Sequence, residues 1–196
     1  MFVCTPSLSV SLGDIAGTWD TYSEAKLKIS GVGSFLDENP STTTLGLDRT
    51  FSLFETTSTG PYNYTGAFDL IDENKLSFAP DTNGENELIR TWVDWAEEIA
   101  FENGVAVTDI SFYDINITIS RPSISKRTLI PKKTKITAKG RVSAWIDGEF
   151  FDKKFSYTSK VSFIGRLDSP YKNILHRVDD RILPGRSKLS GMVRYL

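Results

Sequence analysis

A chain of 196 residues, 39% apolar and 24% charged with a net charge of −2, has the make-up of a globular protein built as one domain. Its single cysteine, Cys4, excludes an internal disulfide, a C-x-x-C redox or zinc motif and multi-cysteine iron–sulfur sites. Its single histidine, His176, excludes H-E-x-x-H and other multi-histidine metal centres, and no apolar run approaches the roughly 18 residues of a membrane span.

Residues 1–12 read as an N-terminal extension. The run Cys4-Thr5-Pro6-Ser7 looks like the start of a mature bacterial lipoprotein, but Met1-Phe2-Val3 is too short for a leader and an ordinary terminal thiol is the expected reading. From Trp19 the chain alternates, with Trp19, Thr21, Ser23, Ala25, Leu27 and Ile29 on one face and a largely polar set between them, which predicts a half-buried strand. Residues 31–44, with Gly31, Gly33, Pro40 and a Ser/Thr cluster, read as a loop over one end of the sheet. Leu45 and Leu47, a turn at Asp48-Arg49 and the run 50–54 suggest a hairpin or a bent strand. A strand over 62–71 places Tyr62, Tyr64, Gly66, Phe68 and Leu70 on one face, and Asp72-Glu73-Asn74 turns it into a strand at 76–78.

The middle changes period. Residues 81–87 alternate oxygen-bearing side chains, but glycine is out of place for an EF-hand loop and Trp92 stands where its closing Glu should be, so an acidic solvated turn is expected and no metal site. Leu88, Trp92, Trp95 and Ile99 recur at helical spacing up to a stop signal at Asn103-Gly104, although a strand over 89–95 is the competing reading. Asp94 and Glu98 share a face of this helix and are the best candidate for a carboxylate pair; an exposed acidic face is the commoner meaning, and no enzyme is expected. Residues 105–120 are β-branched and apolar, with a phase slip that a bulge at Tyr113-Asp114 would explain.

The strongest hairpin follows. Ile136 to Ile146 alternates up to Asp147-Gly148, and Phe151 to Phe163 alternates away from it; Asp-Gly supplies the positive φ angles of a type I′ turn. Residues 167–196 are expected to hold a helix from Ser169-Pro170, striped by Tyr171, Ile174, Leu175, Val178 and Ile182, then a basic tail. His176 falls on that helix, in no nucleophile's setting. These elements predict a mainly β domain over 13–166: an antiparallel eight-stranded barrel with one or two short helices, or else a two-sheet sandwich.

Charge is divided along the chain. Residues 1–114 carry −14 and residues 115–196 carry +12, and between Asp114 and Asp147 there is no acid but eight cations. Lys126, Arg127, Lys132, Lys133, Lys135, Lys139 and Arg141, within 121–141, with the tail residues Arg186, Lys188 and Arg194, could dock on an acidic protein or an anionic surface. Alternatively the basic half pairs with the acidic half across neighbouring strands. The span 121–141 holds no aromatic residue, so a single-stranded nucleic-acid signal is missing.

Gly17 and Trp19 form a G-x-W that resembles the first motif of lipocalin-like (calycin-type) proteins, and Thr108, Asp109 and Tyr113 form a T-D-x-x-x-Y similar to the second. The resemblance implies an eight-stranded barrel in which Trp19 closes one end, Thr108, Asp109 and Tyr113 lie near that closed end, and Arg166 packs over the tryptophan. It also implies a cup for a small hydrophobic molecule, to which Tyr62, Tyr64, Phe68, Phe112, Trp145 and Tyr157 are the candidate contacts, with the tyrosines meeting a polar head; a filled core is the alternative use of the same side chains. The expected function is therefore a non-catalytic binding or carrier protein without cofactor, and the runner-up an interaction module using the basic region. The barrel reading leans towards an extracytoplasmic or cell-envelope location, where Asn63 and Asn116 would fit the N-glycosylation pattern in a eukaryote.

Overall fold

Two-residue periodicity governs almost every strand of the computed structural model, which describes residues 9–167. In β1 (Gly17–Ile29) the side chains of Trp19, Thr21, Ser23, Ala25, Leu27 and Ile29 are all buried and those between them are not. The same alternation runs through β2 (Gly33–Leu45), β3 (Thr50–Thr57), β4 (Gly60–Ile71), β5 (Lys75–Pro80), β6 (Val107–Ile119), β7 (Thr134–Ile146) and β8 (Glu149–Arg166). All pairings are antiparallel in the order β5-β4-β3-β2-β1-β8-β7-β6, and the sheet curls into a nearly closed barrel rather than a sandwich. Two helices complete it, α1 (Leu12–Ile15) and α2 (Thr82–Glu102).

Two segments depart from the sequence expectation. Residues 31–44 are not a loop: Gly31, at φ 77°, turns the chain so that β2 pairs with β1 along its whole length, from Ile29↔Gly33 to Gly17↔Leu45. Ser41 and Thr43 looked loop-like but face inward, where Thr21 Oγ1 meets Ser41 Oγ at 2.8 Å and Thr43 Oγ1 at 3.2 Å. Pro40 is tolerated because pairing with β3 begins only at Ser41. Residues 81–86 are likewise not a solvated turn but the cap and first turn of α2. Asp81 is the N-cap, its Oδ1 accepting from Gly84 N at 2.8 Å, and Asp94 and Glu98 lie farther along the same helix. Gly84 is required there, since a β-carbon would fall 2.1 Å from the Thr65 carbonyl oxygen of β4.

Elsewhere the local chemistry acts as expected. The β7–β8 turn has Asp147 at φ 49° and Gly148 at φ 86°. In β6 the register slips at two places, where Asp109 and Asp114 adopt φ 53° and 51°; the second slip returns Ile117 and Ile119 to the inside and leaves no room for a side chain at Gly140. The expected C-terminal helix, His176, Cys4 and the basic tail lie outside the described residues.

The interior has three levels. At the base, Trp19 packs edge-on against Phe163 at 5.8 Å, donates its indole N–H to Ile15 O at 2.9 Å, and joins Leu45, Phe68, Leu76 and Ile124 in an apolar cluster. At the opposite end, the stripe Leu88, Trp92, Trp95, Ala96 and Ile99 of α2 lies on the concave face of the sheet; Trp92 sits 5.1–5.6 Å from Phe112, Phe155 and Tyr157, and Trp95 4.8 Å from Phe35. Between the two clusters the wall is polar, with Thr21, Ser23, Asp37, Ser41, Thr43, Glu55 and Ser159 buried. The terminal strands β5 and β6 do not pair with each other, which leaves a seam flanked by α2 and the segment 122–131.

Candidate functional site

A sizeable concavity lies at the α2 end. Ala96 and Ala100, four apart on α2, present only methyl groups, and the inward Val142 and Ala144 of β7 are small as well, so helix and sheet do not fill the space between them. The result is a groove of about 290 Å³ walled by Ile29, Val32, Ile99, Val107, Ile110, Ile146, Phe150 and Phe151. Asn103 and Glu149 are the polar side chains of its lining. None of the six aromatics proposed as ligand contacts lines it, and its signal in the sequence is small residues on facing elements.

A second feature occupies the polar middle level. Glu55 accepts hydrogen bonds from Ser23 Oγ and from Tyr64 OH, the latter at 2.9 Å, and Tyr64 OH also meets Thr91 Oγ1 of α2 at 2.9 Å. Burial pushes the Glu55 and Asp37 carboxyls above the usual carboxylate range, and it raises the Tyr64 and Tyr157 phenols far above theirs. Asp37 Oδ2 and the indole nitrogens of Trp92 and Trp95 are buried without a hydrogen-bond partner among the described residues. Beside Glu55, Tyr64, Tyr157 and Ser159 lies a cavity of about 60 Å³, and next to it one of about 50 Å³.

The six aromatics singled out in the sequence therefore scatter. Tyr64 and Tyr157 line the cavity beside Glu55. Tyr62 is buried on β4, donating its hydroxyl to Asp94 of α2 at 2.8 Å, under the Arg90 guanidinium 4.5 Å from its ring; burial holds its phenol up at about 12. Asp94, the proposed partner of Glu98, is thus engaged by Tyr62 and by Arg90 at 3.6 Å. Phe68 belongs to the base cluster and Phe112 to the packing around Trp92. Trp145 points outward from β7, 45% exposed against Phe150, because it falls on the odd-numbered face of that strand.

The motif residues divide between the two ends. Gly17, at φ 142°, opens β1, and Trp19 is the Cα partner of Arg166, whose Nη1 donates to Asp14 O at 3.4 Å. Thr108 and Asp109, by contrast, are exposed at the start of β6, at the α2 end of the barrel, opposite Trp19, and Tyr113 faces outward, bonded to Asp152 at 2.8 Å and to Arg141 at 3.2 Å. The separation follows from strand direction, since β6 enters the sheet at the end β1 leaves.

The basic region is part paired and part open. Lys126 meets Glu73 at 3.1 Å, Lys133 meets Glu24 at 3.7 Å, and Arg141 meets Asp152 at 2.7 Å. Arg127, Lys132, Lys135 and Lys139 are exposed and form no ion pair among the described residues. No group of three or more metal-ligating His, Cys, Asp or Glu side chains occurs among the described residues, and no helix there is long and apolar enough to cross a membrane. Comparison of the chain with protein-family models, with curated proteins and with solved structures returns no match.

Proposed function

We propose that the chain is a non-catalytic binding protein, a lipocalin-like carrier that takes a small hydrophobic molecule into the groove beneath α2. The observation that carries this reading is the groove itself: about 290 Å³, concave, and apolar except for Asn103 and Glu149 at its margin. That volume is at the lower end of the range of small-molecule sites, which suits a ligand of a dozen or so heavy atoms. Small residues on two facing elements keep it open, so one added ring should close it.

Ala144→Phe is the direct test. Its ring enters the groove, and uptake of an apolar fluorescent probe should fall at least ten-fold while the far-UV spectrum is retained. Undiminished uptake by a folded Ala144→Phe variant would overturn the assignment. Native mass spectrometry with organic extraction of the gently purified chain should, on the same reading, release a discrete apolar molecule.

A second reading, docking of the outer basic face on an acidic partner, is favoured by the exposed Lys132, Lys135 and Lys139, which form no ion pair among the described residues. Binding of that kind weakens steeply with salt, whereas binding of an apolar molecule in the groove scarcely changes.

A further inference from the structure

Two carboxylic acids stand inside the barrel without a counter-ion. Glu55 is 5% exposed and Asp37 6% exposed, and no lysine or arginine among the described residues forms an ion pair with either. A carboxylate in such surroundings is costly unless a proton or a cation neutralises it. Glu55 has both access and space. The cavity beside it also touches Pro80, Gly84 and Ile117, so it opens on the seam where β6 fails to pair with β5. The neighbouring cavity shares Phe51, Leu53, Ile119, Ile136 and Val161 with it and continues along the same seam. One end of the combined chamber is therefore acidic and hydroxylated, through Glu55, Tyr64, Tyr157 and Ser159, and the other, apart from Thr43 and Thr134, is hydrocarbon.

We propose that this chamber is a binding site for a small primary alkylammonium ion, with Glu55 and the Tyr64 and Ser159 hydroxyls receiving the ammonium head and the Phe51, Leu53, Ile119, Ile136 and Val161 side chains enclosing the alkyl chain. An ammonium offers three donors, which these acceptors match, and a protonated amine supplies the missing cation. A water occupies about 10–15 Å³ of such space, so cavities of about 60 and 50 Å³ admit a head and a chain of a few carbons. A hard metal ion suits the place poorly, because it wants six or more oxygens and half of this wall is hydrocarbon. The raised proton affinity of Glu55 fits a carboxyl that awaits a cation. None of the chamber's lining residues borders the groove under α2, so this site stands apart from the one above.

Calorimetric titration of the full chain with n-butylammonium, and separately with n-butanol as a neutral counterpart of like shape, tests the proposal. The ammonium should bind the wild type, and Glu55→Gln should weaken it roughly ten-fold or more, the scale of losing a charged hydrogen bond, while butanol affinity changes less than about two-fold. Tyr64→Phe, which leaves the carboxyl in place, should weaken the ammonium several-fold and serves if Glu55→Gln fails to fold. Ala144→Phe should affect neither titration, although it blocks the groove. Absence of ammonium binding by the wild type, or equal binding by folded wild type and Glu55→Gln, would overturn the proposal.

Discussion

Replacing Gly84 by alanine should loosen α2 from the barrel, and the size of the effect can be worked out. The new β-carbon would stand 2.1 Å from Thr65 O, 3.0 Å from Thr65 N and 3.1 Å from Thr65 C, all main-chain atoms of a paired strand that cannot swing aside. Ordinary contact requires the helix start to retreat by roughly 1 Å, and overpacking of this kind costs about 1–3 kcal/mol. The retreat also pulls on Asp81, which is held by its N–H to Thr65 O at 3.1 Å and by Thr65 Oγ1 at 2.8 Å and caps Gly84 N at 2.8 Å; a lost cap costs about 1 kcal/mol. Alanine's advantage over glycine in a helix returns about 1 kcal/mol. The balance is a loss of about 2 kcal/mol. Urea unfolding followed by tryptophan fluorescence and far-UV circular dichroism reads it as a lowered midpoint with little change in slope. Gly33→Ala is the control, because nothing lies within 4 Å of its added carbon, and it should alter stability by less than about 0.5 kcal/mol. A Gly84→Ala variant as stable as the wild type would refute the argument that this close approach seats the helix.

Other outcomes follow from the same geometry. Burial raises the folded-state affinity of Glu55 for its proton above the ordinary carboxyl value of 4.5, so the folded chain holds that proton over a window in which the unfolded chain has released it. Glu55 therefore favours folding less and less as pH rises from 4.5 through its raised value, and Glu55→Gln should gain stability relative to the wild type over that rise; parallel pH–stability curves would contradict this. Trp19→Ala removes the centre of the base cluster and its bond to Ile15 O, and should lower stability by about 3–5 kcal/mol in the same unfolding assay. Trp145→Ser, on the outer face, should change stability by less than about 0.5 kcal/mol and leave probe uptake into the groove intact.

Alternation carried most of the fold. Where inward apolar residues stood between polar ones, as in β1, β7 and β8, both the strand and its facing were legible, and Asp147-Gly148 and the bulge at Asp114 followed from backbone chemistry. β2 was obscured because its inward positions near Ser41 and Thr43 are hydroxylated, the complement of Thr21, and one strand's composition does not reveal what the facing wall requires. The start of α2 was hidden for a related reason: Gly84 and the Asn residues around it look like a turn until β4 is seen to press on the helix at that point. The inward facing of Tyr64 and Tyr157 was legible from their phase. Glu55 was not, since an acid on a buried face breaks the pattern used to recognise the face. Ala96 and Ala100 were read only as part of the helix stripe, because a groove is made by what side chains leave empty.

The strand order also bears on how the chain must close its sheet. Strands β1 to β5 form one meander and β6 to β8 another, and the sheet joins them only through β1 and β8, with contacts such as Lys160 Nζ to Glu24 Oε2 at 3.2 Å across most of the chain. Each meander can assemble from neighbouring hairpins, but loop closure between β1 and β8 carries a large entropic cost, and slow folding is the usual result of such long-range pairing. During synthesis β1 waits with one edge bare until β8 has emerged. β1 carries Thr21 and Ser23 inward and Asp20, Glu24, Lys26 and Lys28 outward rather than a continuous apolar ribbon, which lowers the risk that a second chain pairs there first.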